Sequence, residues 1–195
     1  KAQLVQGDIA ADGVAKKVVA DAVAGLGDIN GLAVTAGIFQ PGPIDEMTTE
    51  FWDHTMNVNM RGTFLSVQAA TPSLRNSKGG SIVIFTSTAG QRGSDIFSAY
   101  ATSKGAQIMF MRSMARELAG DRIRSNCVAP GWTETEMATE KINEFGREDI
   151  VNGISLGRIG LPKDPAAAAL FLLSDLAEFI TGSTITVDGG FDMRG

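Results

Sequence analysis

Tyr100 and Lys104 stand four positions apart in Tyr100-Ala101-Thr102-Ser103-Lys104, and Ser87 precedes them after an apolar run. On a helix, that spacing projects both side chains from one face with their tips within reach of each other. A phenol of pKa about 10 is a poor base at neutral pH. A neighbouring ammonium stabilises the phenolate and lowers that value, so the pair could move protons to and from an oxygen. Ser87, at a strand end, could donate to or accept from a substrate oxygen beside the phenol. A Tyr-x-x-x-Lys match on its own is more often a solvated pair on an exposed helix. The surrounding elements decide between the two.

Those elements alternate. A short strand is expected over residues 2–6, ending at Gly7-Asp8. A helix follows, with Val14, Val18, Val19, Ala22 and Val23 at helical spacing and Asp12 as its N-cap. Residues 31–34 read as the next strand, closed by Thr35-Ala36-Gly37. Thr48-Thr49-Glu50 opens a long amphipathic helix towards Leu74, and 81–85 is a β-branched run suited to a strand buried on both faces. Residues 98–118 form another long helix, 123–128 a strand, 164–173 an Ala-rich helix with Pro165 in its first turn, and 184–187 a last strand. Strands alternating with helices at this spacing imply right-handed crossovers and a parallel sheet covered on both faces. The expected fold class is α/β, a single doubly wound domain, in which ligands bind beyond the carboxyl ends of the strands.

Composition narrows the function. In 195 residues, 17 Lys+Arg stand against 22 Asp+Glu, a net charge of −5, and the basic residues form no run. A nucleic-acid surface gains affinity from clustered cations, so no nucleic-acid partner is expected. The longest strongly apolar stretch, 166–173, is too short to cross a bilayer of about 30 Å. A single cysteine, Cys127, cannot form an internal disulfide, which fits a reducing, cytoplasmic compartment. It reads as a small buried hydrophobe rather than a nucleophile. One histidine, His54, excludes a multi-histidine metal site and needs no catalytic role. Met109, Met111 and Met114 read as packing residues of a core or subunit interface. The stretch 136–153 lacks a clear apolar period and reads as a mobile lid.

Further motifs fall in a recognisable order. Ser87 lies thirteen positions before Tyr100, and Asn59 sits in Asn57-Val58-Asn59-Met60-Arg61-Gly62. Pro130-Gly131-Trp132-Thr133-Glu134-Thr135, Ile154-Ser155-Leu156-Gly157-Arg158 and Val187-Asp188-Gly189-Gly190 follow. In these motifs, over nearly its whole length, the chain resembles the short-chain dehydrogenase/reductase (SDR) family. The resemblance implies a Rossmann-like fold and an NAD(P)-dependent oxidoreductase that interconverts a secondary alcohol and a ketone. It assigns Tyr100 as general acid/base, Lys104 as the residue that holds the nicotinamide ribose and depresses the Tyr100 pKa, and Ser87 as the residue orienting the substrate oxygen. Asn59 would anchor a water linking Lys104 to solvent.

For NAD or NADP, the resemblance implies Asp8 and Ile9 at the adenine and Ala36 and Gly37 at the ribose. Val58 joins this set, as do Pro130, Gly131, Thr133 and Thr135 near the carboxamide, with Tyr100 and Lys104 themselves. Val34 and Thr35 stand where the family carries two asparagines, and Thr35 is expected to replace part of their bonding. Loop capping is the competing reading of Asp8 and Thr135. Phe39, Gly90, Gln91 and Trp132 are expected to shape the substrate pocket. Family members associate through two long helices, here beginning near Thr48 and Ser98, so a homodimer or homotetramer is expected.

The family's Gly-rich turn between first strand and first helix has no counterpart in the chain. The motifs align from the family's third strand, so roughly fifty residues, a βαβ unit with its trailing helix, lack a match. The lost strands would lie between the strand at Gln3 and the strand at Leu32, leaving 32–34 as an apolar edge. Two readings compete with the oxidoreductase. One is a truncated, catalytically silent oligomer partner; the other is a sibling lyase or dehalogenase, disfavoured because dehalogenase-like members carry Arg at the position of Lys104. The sequence is expected to belong to a longer polypeptide. Intact-mass measurement of the natural protein should then exceed 20.5 kDa, and a mass at that value would defeat the expectation.

Overall fold

The computed structural model describes residues 2–193. Four parallel strands in the order β1-β2-β3-β4 carry the fold: β1 (Gly31–Val34), β2 (Gly80–Phe85), β3 (Ile123–Pro130) and β4 (Thr184–Val187). The β-branched run of β2 is buried on both faces because it lies between β1 and β3 with helices above and below. One helical layer holds α1 (Val14–Leu26), α3 (Gly62–Asn76) and α5 (Ser98–Glu117), joined to the sheet through Leu74, Ile82, Ile84, Met111 and Cys127. The other face is covered by α8 (Lys163–Leu173), whose Ala169 and Leu172 meet Val83 and Val128. This is the doubly wound sheet that the alternation implied.

The long helix from Thr48 is interrupted. Thr48 Oγ1 accepts from Phe51 N at 3.2 Å and starts α2 (Thr49–Met56), which passes through a π turn (Asn57–Arg61) into α3. Such turns are rare and concentrate at functional sites, and this one carries Asn59.

Three expectations are corrected. Residues 2–6 form no strand and are mostly exposed. A strand is held by ladder bonds to a neighbour, and no described strand lies beside this segment. Asp12 does not cap α1; Gly13, at φ 80, takes that position because the chain enters the helix through a left-handed residue, and Asp12 pairs with Arg61. The stretch 136–153 is helical, as α6 (Glu136–Phe145) and α7 (Arg147–Asn152), after the short α4 (Ala89–Arg92) and α5 in chain order. Its apolar period is hidden because Ile142 and Ile150 face a small separate core with Ile154 and Ile159. β1 is an edge as expected, yet Val34 is buried in the main core and Leu32 packs against it.

Gly90 of α4 sets how closely α4 approaches α5. A Cβ there would stand 2.6 Å from the Lys104 carbonyl carbon and 2.7 Å from Gly105 N. Gly90→Ala should therefore destabilise the fold by about 1–3 kcal/mol, read from a denaturant midpoint, because backbone must move.

Candidate active site

β2 ends at Phe85, and Thr86 and Thr88 extend its pairing through bonds from their N–H groups to Val128 O (2.8 Å) and Pro130 O (3.2 Å). Ser87 between them is thereby fixed at the carboxyl end of the sheet, and its Oγ accepts from Ala89 N at 3.1 Å. The α4–α5 contact brings Lys104 under this loop, where Thr86 Oγ1 donates to Lys104 O at 2.8 Å. Tyr100, one turn earlier, is half-buried, with Ser87 close enough to act on its phenol. Tyr100 and Lys104 are thus no solvated pair: Lys104 is 5% exposed, and its Nζ donates to Phe85 O at 2.9 Å and lies 5.8 Å from the centre of the Tyr100 ring.

Burial dominates the electrostatics. It pushes the Lys104 amine down to about 8, partly opposed by the neighbouring Cys127 thiol. It pushes the Tyr100 phenol above its usual range, and the Ser87 hydrogen bond pulls the other way without winning. The expected depression of the Tyr100 pKa is therefore not present in the chain by itself. Removing the phenolate from water costs more than the Ser87 bond returns.

Asn59 is fully buried. Its Oδ1 accepts from Ile38 N (2.7 Å), and its Nδ2 donates to Ile38 O (3.0 Å) and Ser103 Oγ (2.9 Å). An N–H and a C=O on one residue leave only this orientation of the amide. Asn59, rather than Thr35, ties the end of β1 to the helices; Thr35 is exposed. Gly37 is needed here, since a Cβ would stand 3.1 Å from Asn59 Oδ1 and 3.3 Å from Lys104 Nζ.

A cleft of about 370 Å³ opens over these groups. Of the residues selected by sequence, it brings together Thr35, Gly37, Ser87, Tyr100, Lys104, Pro130, Gly131, Thr133 and Thr135. Asn59 lies behind the wall, and Asp8, Ile9, Ala36 and Val58 are not part of the lining. Both capping readings are present: Asp8 Oδ1 accepts from Ala10 N at 2.9 Å, and Thr135 Oγ1 from Ala138 N at 3.3 Å. Phe39 and Trp132 line the cleft as expected; Gly90 and Gln91 do not, and Gln91 instead bonds Thr186 of β4.

Sequence reasoning missed an aromatic wall. Phe39 stacks on Phe97 at 4.4 Å and meets the Tyr100 ring edge-on at 4.8 Å, while Phe145 joins Phe97 and Trp132 at 6.2 and 6.0 Å. Phe97 lies three residues before Tyr100 and so shares its helix face, a signal available in the sequence. Ile96 enters this stack at φ 53, a strained value for a β-branched residue, held by Gly42 N donating to Ile96 O at 2.7 Å. Among the described residues, no group of three or more acidic, His or Cys side chains could hold a metal, and no helix is long and apolar enough to cross a membrane.

A family model described as Enoyl-(Acyl carrier protein) reductase matches residues 1–192. The chain is 41% identical over 175 residues to the 3-oxoacyl-[acyl-carrier-protein] reductase FabG of Thermotoga maritima, covering 90% of this chain and 71% of that protein. A short-chain dehydrogenase/reductase of Brucella melitensis, described as a glucose/ribitol dehydrogenase, superposes with a TM-score of 0.92 at 35% identity, over 97% of this chain and 76% of that one. A gluconate 5-dehydrogenase from Burkholderia cenocepacia J2315, solved in complex with NADP and tartrate, superposes with a TM-score of 0.90 at 29% identity, over 95% of this chain and 73% of that one. The doubly wound sheet and these relatives place the chain in a class of oxidoreductases. The chain belongs to the short-chain dehydrogenase/reductase family.

The Lys104 pKa has a consequence for stability. Between about pH 8 and 10.5 the unfolded chain holds this proton while the folded chain releases it, so its contribution to stability rises with pH across that window. Below it, burying the charge costs on the order of 3 kcal/mol. Lys104→Met should raise the thermal midpoint at neutral pH, with a gain that shrinks towards pH about 10. Melting curves across that range check it.

Proposed function

We propose that the protein is an NAD(P)-dependent oxidoreductase interconverting a secondary alcohol and a ketone. The observation that carries this reading is that Tyr100, Ser87 and Lys104 line one cleft, with the lysine buried behind the phenol. A phenol pushed above its usual pKa is protonated at neutral pH but a weaker acid, so its donation depends on stabilising the phenolate it leaves. Tyr100 gives its proton to the carbonyl oxygen as that oxygen gains charge, and Ser87 donates to the same oxygen. Lys104 holds the ribose hydroxyls and, while protonated, stabilises the phenolate left behind. Asn59 anchors the water through which Lys104 regains a proton.

The residues around the cleft suit a nicotinamide and its ribose. Gly37 leaves open the space beside Lys104 Nζ that a Cβ would fill, and Pro130, Gly131, Thr133 and Thr135 surround the same hollow. When bound, NAD or NADP supplies or accepts the hydride. Ala36, Thr35 and Val58 flank the ribose side, and Asp8 and Ile9 the adenine; Ile9 packs on Gly62, where a Cβ would stand 2.9 Å from its Cγ2.

Helices α6 and α7, the 136–153 segment, act as the substrate lid. The exposed Phe64 and Met109 on α3 and α5 support pairing of copies through these helices, as a homodimer or homotetramer. A buried Cys127, its thiol pushed up to about 12, suits a reducing cytoplasm without redox work to do.

Tyr100→Phe in the complete polypeptide should lower ketone reduction by roughly 10²-fold or more while leaving the fold intact. Undiminished turnover would end the proposal. NADH and NADPH, titrated separately against nicotinamide fluorescence, decide the cofactor, and binding of neither favours the silent oligomer partner.

A further inference from the structure

Gln107 is a buried polar side chain with no part in the chemistry above, and it lies three residues beyond Lys104 on α5. Its exposure is 0%. Nε2 donates to the Asn59 main-chain carbonyl at 2.8 Å and to Thr63 Oγ1 at 2.7 Å, and Thr63 Oγ1 donates to the same carbonyl at 2.7 Å. Gln107 Oε1 has no donor. An apolar side chain of equal length would fill the position without orphaning an acceptor, so packing alone does not account for a glutamine.

The π turn does account for it. Such a turn breaks the regular helical ladder, and the Asn59 carbonyl takes two side-chain donors. Asn59 is therefore gripped at its backbone by Gln107 and Thr63, and at its amide by Ile38 and Ser103. Asn59 Oδ1 and Lys104 Nζ both lie against Gly37, so the grip sets where the amide stands relative to the ammonium.

We propose that Gln107 is a positioning residue for the Tyr100–Lys104 pair, fixing the π turn and, through Asn59 and the end of β1, the place of Lys104 Nζ. The inference rests on Tyr100 as the proton donor.

Gln107→Met keeps the length of the side chain and removes both donations. Tyr100 is the single tyrosine of the 195 residues, and in the complete polypeptide the tyrosinate transition that Y100F removes is the one that reports its ionisation. The variant should keep or raise the thermal midpoint while its tyrosinate transition moves to higher pH, making Tyr100 a roughly threefold weaker acid or more. In the complete enzyme, kcat for ketone reduction should fall several-fold with KM unchanged. A transition that overlays the wild type overturns the inference. Should Q107M fail to fold, the wild type still decides. The NMR resonance of the Gln107 side-chain amide should follow the tyrosinate transition, and a flat resonance across it overturns the inference. Turnover surviving in Y100F sinks the proton-donor reading itself; loss in Y100F with a wild-type-like Q107M sinks only the role of Gln107.

Discussion

Lys104 carries its amine into a space from which water is largely excluded, and a cation there persists only where dipoles and close neighbours hold it. Among the described residues its acceptor is the carbonyl of Phe85, the last residue of β2, so the sheet has to end where it does for the amine to be bonded. The approach that makes this possible is built from missing side chains: Gly90 against the Lys104 backbone, and Gly37 beside Nζ and Asn59. Cys127 of β3 lies on the same side, but burial suppresses its ionisation, so it offers the ammonium little of the charge that an anion there would supply.

That constraint reaches the phenol. The burial that pushes Lys104 down also pushes Tyr100 up, so the two groups tend towards neutrality together rather than forming the ion pair their spacing suggested. A protonated phenol is poised to give a proton, and giving it creates a phenolate that the lysine stabilises only while it keeps its own charge. Ser87 is the third party, close to the phenol and held in turn by Ala89 N. The site therefore stores acidity in a neutral form and depends on charge developing in the substrate oxygen to draw it out.

Much of this was legible as spacing. The four-residue step from Tyr100 to Lys104 and the strand-length run at 81–85 have a local signature, because helix and strand periods turn residue number into direction, whereas Asn59 was singled out by the resemblance alone. What stayed hidden depends on neighbours distant in sequence. Ala2 to Gln6 has a strand's composition, yet composition cannot provide a partner to pair with. Ile142 and Ile150 look isolated along the chain and meet only once α6 and α7 fold on each other. Gln107 reads as one more polar residue on a long helix, and its bonds to Asn59 and Thr63 span more than forty residues.

The aromatic wall shows how positioning and selection share one set of atoms. Phe39 touches Tyr100 edge-on and rests flat on Phe97, so the ring that borders the cleft also restrains the phenol. Phe97 reaches that place only because Ile96 accepts a left-handed backbone that a β-branched residue resists. Strain of this kind survives where surrounding contacts outweigh it, here the Gly42 bond and the ring stack. With Phe145 of α6 touching Phe97 and Trp132, the 136–153 helices are coupled to the phenol through three ring contacts in series. Displacing α6 would disturb the stack beneath Tyr100 as well as widen the mouth of the cleft, so what the cleft admits and how well the acid is aimed are not independent properties of this chain.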